Sequence, residues 1–242
     1  MTDLETRLAA AVRQFWKTRD KQAKKQGKRT GRKDQGFRTA VTGGAQMDGF
    51  IKLVSELLVE CGLSDATIFC KKKVELPGFF RPTKEWDVLV VADGQLVASI
   101  ELKSHIGPSF GNNYNNRTEE AIGNATDLWT AYREGAFQDS SRPWLGYLML
   151  LEETAASVRP VRAAEPHFKV LQEFRDASYA KRYELLCLKL VRERLYDAAC
   201  LLLSAHLTGS TGVYKEPNRE IGFANFINSL TAQAIAFSKS RT

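Results

Sequence analysis

The sequence predicts an α/β fold: a central mixed sheet flanked by helices, with a helical C-terminal part. Three observations predict it. Apolar residues recur at helical spacing up to about residue 61, and short runs of β-forming residues follow. Asp93-Gly94 stands between two such runs and is a strong hairpin signal. Residues 144–151 form an apolar run bounded by polar residues, the pattern of a buried strand.

Taken in order, residues 4–16 read as a helix with Leu4, Leu8, Ala11, Val12 and Phe15 on one face. Residues 17–38 are basic and interrupted by Gly27, Gly31 and Gly36, so they are expected to be mobile unless bound. Residues 45–61 place Met47, Phe50, Ile51, Val54, Leu57 and Leu58 at helical spacing. Strands are expected over 67–76, 84–91 and 96–104, with Pro77, Gly78 and Pro82 in a loop between the first two. Residues 105–116 read as a polar loop rich in Gly and Asn. A helix follows over 118–133, opened by Thr118 and lined by Ala121, Ala125, Leu128 and Trp129. After the strand at 144–151, helices are expected over 168–174, 179–203 and 219–238. With no internal repeat and no long linker, the chain reads as a single domain. It comprises the basic segment 17–38, a core over 45–151 and a helical part over 168–240.

Composition removes several classes. The chain is 43% hydrophobic and 26% charged, ordinary for a globular protein. No apolar run approaches a membrane span, and no secretory signal is evident. Cys61, Cys70, Cys187 and Cys200 form no CxxC pair and lie in apolar segments, which points to reduced packing residues rather than zinc ligands. The net charge is +7, but it is uneven: residues 17–38 carry ten basic and two acidic side chains, a local +8. A basic segment of this kind suits a polyanion, although a solubilising or targeting tail has the same composition.

The chemistry concentrates in residues 84–103, Lys-Glu-Trp-Asp-Val-Leu-Val-Val-Ala-Asp-Gly-Gln-Leu-Val-Ala-Ser-Ile-Glu-Leu-Lys. Side chains alternate along a strand, so Ile100 and Leu102 should face one way and Glu101 and Lys103 the other. A hairpin turning at Asp93-Gly94 brings Asp87 towards Glu101. Hydrolysis of a phosphodiester wants such a set. Carboxylates hold Mg²⁺ together with water and phosphate oxygens. An adjacent lysine orients or deprotonates the attacking water and stabilises developing charge. Acid-x-Lys alone is a weak signal, and a charged hairpin face with a surface ion pair is the plain alternative.

At these positions the chain resembles the PD-(D/E)xK nucleases, with Asp87 as the first acid, Glu101 as the second and Lys103 as the lysine. Thr83-Lys84-Glu85-Trp86 departs from the nominal proline before the first acid. The longer run from Glu101 through Ala125, with Ser-His-Ile-Gly-Pro-Ser-Phe-Gly-Asn-Asn-Tyr-Asn-Asn-Arg inside it, looks like type II restriction endonucleases of the XhoI family. That resemblance implies a restriction-endonuclease-like core and Mg²⁺ as cofactor. It implies a bacterial, cytoplasmic homodimer acting on double-stranded DNA, accompanied by a cognate DNA methyltransferase. It also implies cutting of the palindrome CTCGAG after the first C, leaving four-base 5′ overhangs.

Other residues are weighed beside this set. Glu56 is a candidate further metal ligand, but Lys52, Glu56 and Glu60 also form an i, i+4 polar stripe. Asn112, Asn113, Asn115, Asn116 and Arg117 are candidate DNA contacts, since Asn pairs with adenine and Arg with guanine in the major groove. The same residues also suit a turn-rich loop. Arg29, Arg32 and Lys33 are candidate phosphate contacts. His105 adjoins the site and reads as structural, while His167 and His206 have no partner evident in the sequence. Three other readings stay open: a non-catalytic DNA-binding protein, a repair or structure-specific nuclease of the same superfamily, and an enzyme whose basic arm is only a targeting signal.

Overall fold

A computed structural model describes residues 2–30 and 44–240, with side chains at 25–30 left out of the description. Helix α1 (Asp3–Thr30) opens the chain. Thr2 and Glu5 cap it reciprocally: the Glu5 N–H donates to Thr2 Oγ1 at 3.2 Å and the Thr2 N–H donates to Glu5 Oε2 at 2.8 Å. The helix runs past the predicted end at residue 16, well into the basic segment. Lys, Arg, Gln and Ala are good helix formers, so the turns continue after the apolar face has ended. The segment expected to be mobile is helical as far as residue 30, whereas residues 31–38 lie outside the described residues.

A short 3-10 turn (Ala45–Met47) leads into α2 (Asp48–Glu60). The predicted strand over 67–76 is two strands, β1 (Ile68–Cys70) and β2 (Glu75–Pro77), which join different sheets. Lys71 and Lys73 between them have positive φ of 67° and 56°, which breaks the extended run. The predicted strand over 84–91 also divides, into β3 (Thr83–Glu85) and β4 (Val88–Ala92). β2 and β3 make a small antiparallel ribbon. The turn to β5 (Gln95–His105) is as predicted: Asp93 and Gly94 both have positive φ, 49° and 76°, as a tight primed turn requires.

Among the described residues the main sheet has five strands in the order β1-β4-β5-β6-β7, with β6 at Trp144–Glu152 and β7 at Ala198–Ser204. It is mixed as predicted: β1, β4 and β5 are antiparallel neighbours, and β5, β6 and β7 are parallel. Helix α3 (Phe110–Arg133) connects β5 to β6, followed by the single turn α4 (Ala155–Val158). Helix α5 (Tyr179–Arg192) leads into β7. The one-turn α6 (His206–Gly209) and the terminal α7 (Phe223–Lys239) complete the chain.

Three predicted helices are corrected. Residues 168–174 contain only a 3-10 turn, Gln172–Phe174. The helix expected over 219–238 begins at Phe223, after a 3-10 turn at Arg219–Ile221. The helix expected over 179–203 stops at Arg192, and its second half is strand β7. Ala-Ala-Cys-Leu-Leu-Leu-Ser is buried at every position, and a fully buried parallel strand has no alternation to betray it. Arg194, at φ 57°, ends the helical course.

The sheet separates two cores. On one face Ile100, Leu102, Leu148, Leu150 and Cys200 pack against α1, α2 and α7 through residues such as Phe15, Phe50 and Phe226. On the other face Leu145, Tyr147, Met149 and Leu201 pack against α3 and α5 through Ala125, Leu128 and Tyr183. Among the described residues no helix is long and apolar enough to cross a membrane.

Candidate active site

The acidic pair is created by a change of partner. The chain leaves the ribbon with β2 at Glu85 and enters the main sheet at Val88, so Asp87 lies at the junction. Its N–H donates to the Ile100 carbonyl at 3.2 Å, and its Oδ2 accepts the Leu102 N–H at 2.7 Å. Those two bonds bracket Glu101 on the neighbouring strand and set the two carboxyls side by side.

Alternation along β5 is as predicted. Ile100 and Leu102 enter one core, while Glu101 and Lys103 stand opposite Tyr147 and Met149 on the other face. Glu101 is only 1% exposed, so the plain alternative of a solvated surface pair does not describe it. Two ammonium groups meet its carboxylate: Lys103 at Oε1, and Lys84 at Oε2 at 2.7 Å. Burial alone would raise the Glu101 pKa, but Lys103 and Lys84 outweigh it and hold the carboxyl below its ordinary value. Burial would lower the Lys103 pKa, and Glu101 more than reverses that. Asp87 goes the other way: burial, then the charge of Glu101, push it up to about 6. It is a carboxyl short of cations beside one that has two.

The donor set fits a hard divalent ion. Mg²⁺ is held by one or two carboxylates with water and phosphate completing its shell, and Asp87 and Glu101 provide that number. A cation there would also relieve the repulsion that raises Asp87. Glu56 is not brought to this pair. It lies on α2, packed on the opposite side of the sheet, and it engages Arg7 at 3.2 Å and Lys52 at 3.6 Å. Among the described residues no three His, Cys, Asp or Glu side chains cluster as a metal site.

The candidate DNA contacts move from a loop onto a helix. Asn112, Asn113, Asn115, Asn116 and Arg117 occupy the first turns of α3, directly after β5, with Asn112, Asn115 and Asn116 exposed. Phe110, 5% exposed, anchors that helix start against the His105 ring at a centroid distance of 4.8 Å. Arg117 pairs with Glu120 and lies close enough to act electrostatically on Lys103. His105 continues β5 on the Lys103 side, but it is 2% exposed and its Nδ1 meets the Tyr183 hydroxyl at 2.7 Å. Burial drives it down to about 4, so it stands as a neutral packing group. His206 does have a partner, Asp20 at 2.7 Å, which ties α1 to the segment after β7. Lys17, Lys21 and Lys24 are exposed along α1 at i, i+4 and i+7. The side chain of Arg29, together with Arg32 and Lys33, lies outside the described residues.

Comparison with known proteins decides the family. The family described as restriction endonuclease XhoI matches residues 25–216. The chain belongs to the XhoI restriction endonuclease family. It is 54% identical over 203 residues to the type II restriction enzyme BstVI of Geobacillus stearothermophilus, covering 82% of this chain and 91% of that protein. It is 48% identical over 182 residues to the type II restriction enzyme XhoI of Xanthomonas vasicola, covering 74% and 72%. It is 49% identical over 170 residues to the type II restriction enzyme AbrI of Azospirillum brasilense, covering 70% and 76%. No solved structure matches the chain. As a member of the XhoI family the chain is a site-specific deoxyribonuclease.

Sequence reasoning missed Lys84. It is 11% exposed at its side chain, donates to the Glu85 carbonyl at 2.6 Å and lies 4.3 Å over the Trp86 ring. The one signal for it was Lys84-x-Trp86 at the strand break just before the first acid.

Proposed function

We propose that this XhoI-family enzyme makes Mg²⁺-dependent double-strand cuts at a palindromic six-base DNA site, CTCGAG, after the first C. The observation that carries the reading is the juxtaposition of Asp87, Glu101 and Lys103 on one sheet face. Its occurrence inside a chain that matches the restriction family over residues 25–216 supports it.

Asp87 and Glu101 would hold Mg²⁺, which when bound lowers the pKa of water and neutralises charge on the phosphate. The Lys103 ammonium stands at the Glu101 carboxylate, where it orients the attacking water and stabilises the pentacoordinate phosphorus. The water oxygen would attack phosphorus in line as it gives up a proton to solvent, the bond from phosphorus to the 3′ oxygen would break, and that oxygen would take a proton from solvent. One strand end keeps a 3′ hydroxyl and the other a 5′ phosphate. Glu101 is 1% exposed, so its carboxylate is held by the Lys84 and Lys103 ammonium groups rather than by bulk water. The exposed Asn residues at the start of α3 and the α1 lysines face outward as groove and phosphate contacts. A two-fold dimer matches a palindrome by symmetry, with one active site for each strand. A cognate methyltransferase would protect host copies of the site.

The test is digestion of two linear duplexes that differ only in CTCGAG against a single-base change, followed by mapping of the ends. Cutting of the first alone, with four-base 5′ overhangs, is the expected result. Equal cutting of both, or discrete cutting elsewhere, would refute the assigned site.

A further inference from the structure

Lys84 stands in the candidate site without a part in the chemistry proposed above, yet its ammonium is held at three points. It meets Glu101 Oε2 at 2.7 Å, donates to the Glu85 carbonyl at 2.6 Å and lies 4.3 Å over the Trp86 ring. Trp86 is buried, so that support is fixed. The ribbon that delivers Lys84 is fixed as well. Lys84 pairs with Leu76 in β2, and Asp127 on α3 accepts the N–H groups of Phe79 and Phe80, in the turn between β2 and β3, both at 2.8 Å. The Lys84 side chain is 11% exposed, against 26% for Lys103. Of the two ammonium groups on Glu101, Lys103 is the more open to water and substrate, and Lys84 reaches the chemistry through Glu101.

The charges around Glu101 decide what that hold does. With both acids ionised, Asp87 and Glu101 contribute two negative charges and Lys84 and Lys103 two positive ones, so the four groups sum to zero. Arg117, which acts on Lys103, is paired with Glu120 and adds no net charge. A divalent ion on this pair therefore gains no net attraction from the four groups and meets an ammonium at each Glu101 oxygen. Without Lys84 the set would carry a charge of −1 and one Glu101 oxygen would be released. A partner that only orients a metal ligand behaves in the opposite way, since its loss weakens metal binding by about 10- to 100-fold. The sign of the change separates the two roles.

We propose that Lys84 is a positioning residue that acts through Glu101: it fixes the carboxylate and, as a cation on a metal ligand, lowers the affinity of the acidic pair for divalent ions. Orientation and affinity are then opposed. Loss of Lys84 should tighten metal binding while it slows cutting at saturating metal, because Glu101 is left with Lys103 alone. This role rests on the reading of Asp87 and Glu101 as the metal ligands.

The experiment titrates the full chain with Mn²⁺, without DNA, and follows the free ion by electron paramagnetic resonance in wild type, Lys84→Met, Lys84→Gln and Lys84→Arg. Thermal melts and single-turnover cutting across a Mg²⁺ series are measured on the same proteins. Both neutral variants should bind Mn²⁺ at least about tenfold more tightly than wild type, and Lys84→Arg, which keeps the charge, should match wild type. In cutting, Lys84→Met should need less Mg²⁺ to reach half its plateau rate, and the plateau itself should be lower. Unchanged or weaker Mn²⁺ binding in a folded neutral variant overturns the role, as does tightening by Lys84→Arg equal to that of Lys84→Met. Loss of the fold in both neutral variants assigns Lys84 to stability and overturns it as well. Asp87→Asn distinguishes this failure from that of the underlying reading. If Asp87→Asn binds Mn²⁺ as wild type does, or if wild type fails to cut duplex DNA in Mg²⁺, the metal site itself is refuted and the role of Lys84 falls with it.

Discussion

Asp87 and Glu101 are neighbours on one sheet face, yet their carboxyls are held in opposite ways: Glu101 has two ammonium partners and Asp87 has a backbone amide. That asymmetry has a pH signature. The Asp87 pKa rises from 3.8 to about 6 on folding, so its contribution to stability is fully present below pH 3.8 and is lost as pH climbs through about 6. Without divalent metal, Asp87→Asn should match wild type near pH 4 and exceed it by up to about 3 kcal/mol near pH 7. Denaturant melts at the two pH values measure this. Divalent metal should shrink the gap by stabilising wild type alone, and a gap independent of both pH and metal would contradict the assignment. Lys84 allows a second expectation. With Lys84→Met, the buried Glu101 is left with one of its two counter-charges, so cutting should fall about 10- to 100-fold while Lys103 still supports a residual rate. Single-turnover kinetics would show it.

Helix α1 shows where element-level reading succeeds and where it stops. The apolar face of residues 4–16 was legible, but the extension to Thr30 was not, because residues 17–30 carry no periodic apolar residues. The capping pair explains how the start is fixed, and Thr2→Ala should lower stability by about 1 kcal/mol in a thermal melt. The hairpin was legible at Asp93-Gly94 because positive φ at two successive residues admits few residue types. Strand β7 was not, since its seven residues are buried on both faces and lack alternation. Leu201→Ala should therefore cost 2 to 5 kcal/mol, roughly the range for a core leucine, rather than the small cost of an exposed helical site. The start of α3 was read as a loop because Gly-Asn-Asn-Tyr-Asn-Asn has poor helix propensity. Packing of Phe110 against His105 and of Tyr114 against Tyr183 overrides it. At the candidate site, Asp87, Glu101 and Lys103 were legible because alternation and one turn suffice to place them. Lys84 was not, because its role depends on a break between β3 and β4 that the β-forming run conceals.

Across the whole molecule, the mixed sheet divides labour between its faces. One face, covered by α1, α2 and α7, is continuous apolar packing. The other carries the acidic pair and the two lysines beside α3. On the proposal that the basic segment meets DNA, the exposed α1 lysines would add a sequence-independent attraction for phosphate. Replacing Lys17, Lys21 and Lys24 with Gln should lower the slope of log affinity against log salt by up to about 0.9 for each phosphate that is no longer neutralised, without changing the fragments produced. Binding titrations across a salt series would measure it. The most direct test of the central claim is digestion of a long duplex DNA in Mg²⁺ by wild type, Glu101→Ala and Lys103→Ala, with melting curves to establish that all three fold. The account predicts discrete fragments with 5′ phosphates and 5′ overhangs from wild type, and a fall of at least about a hundredfold in both variants. Undiminished cutting by either variant would contradict the site, and tight binding by wild type without cleavage in any divalent metal would contradict the assignment as a nuclease.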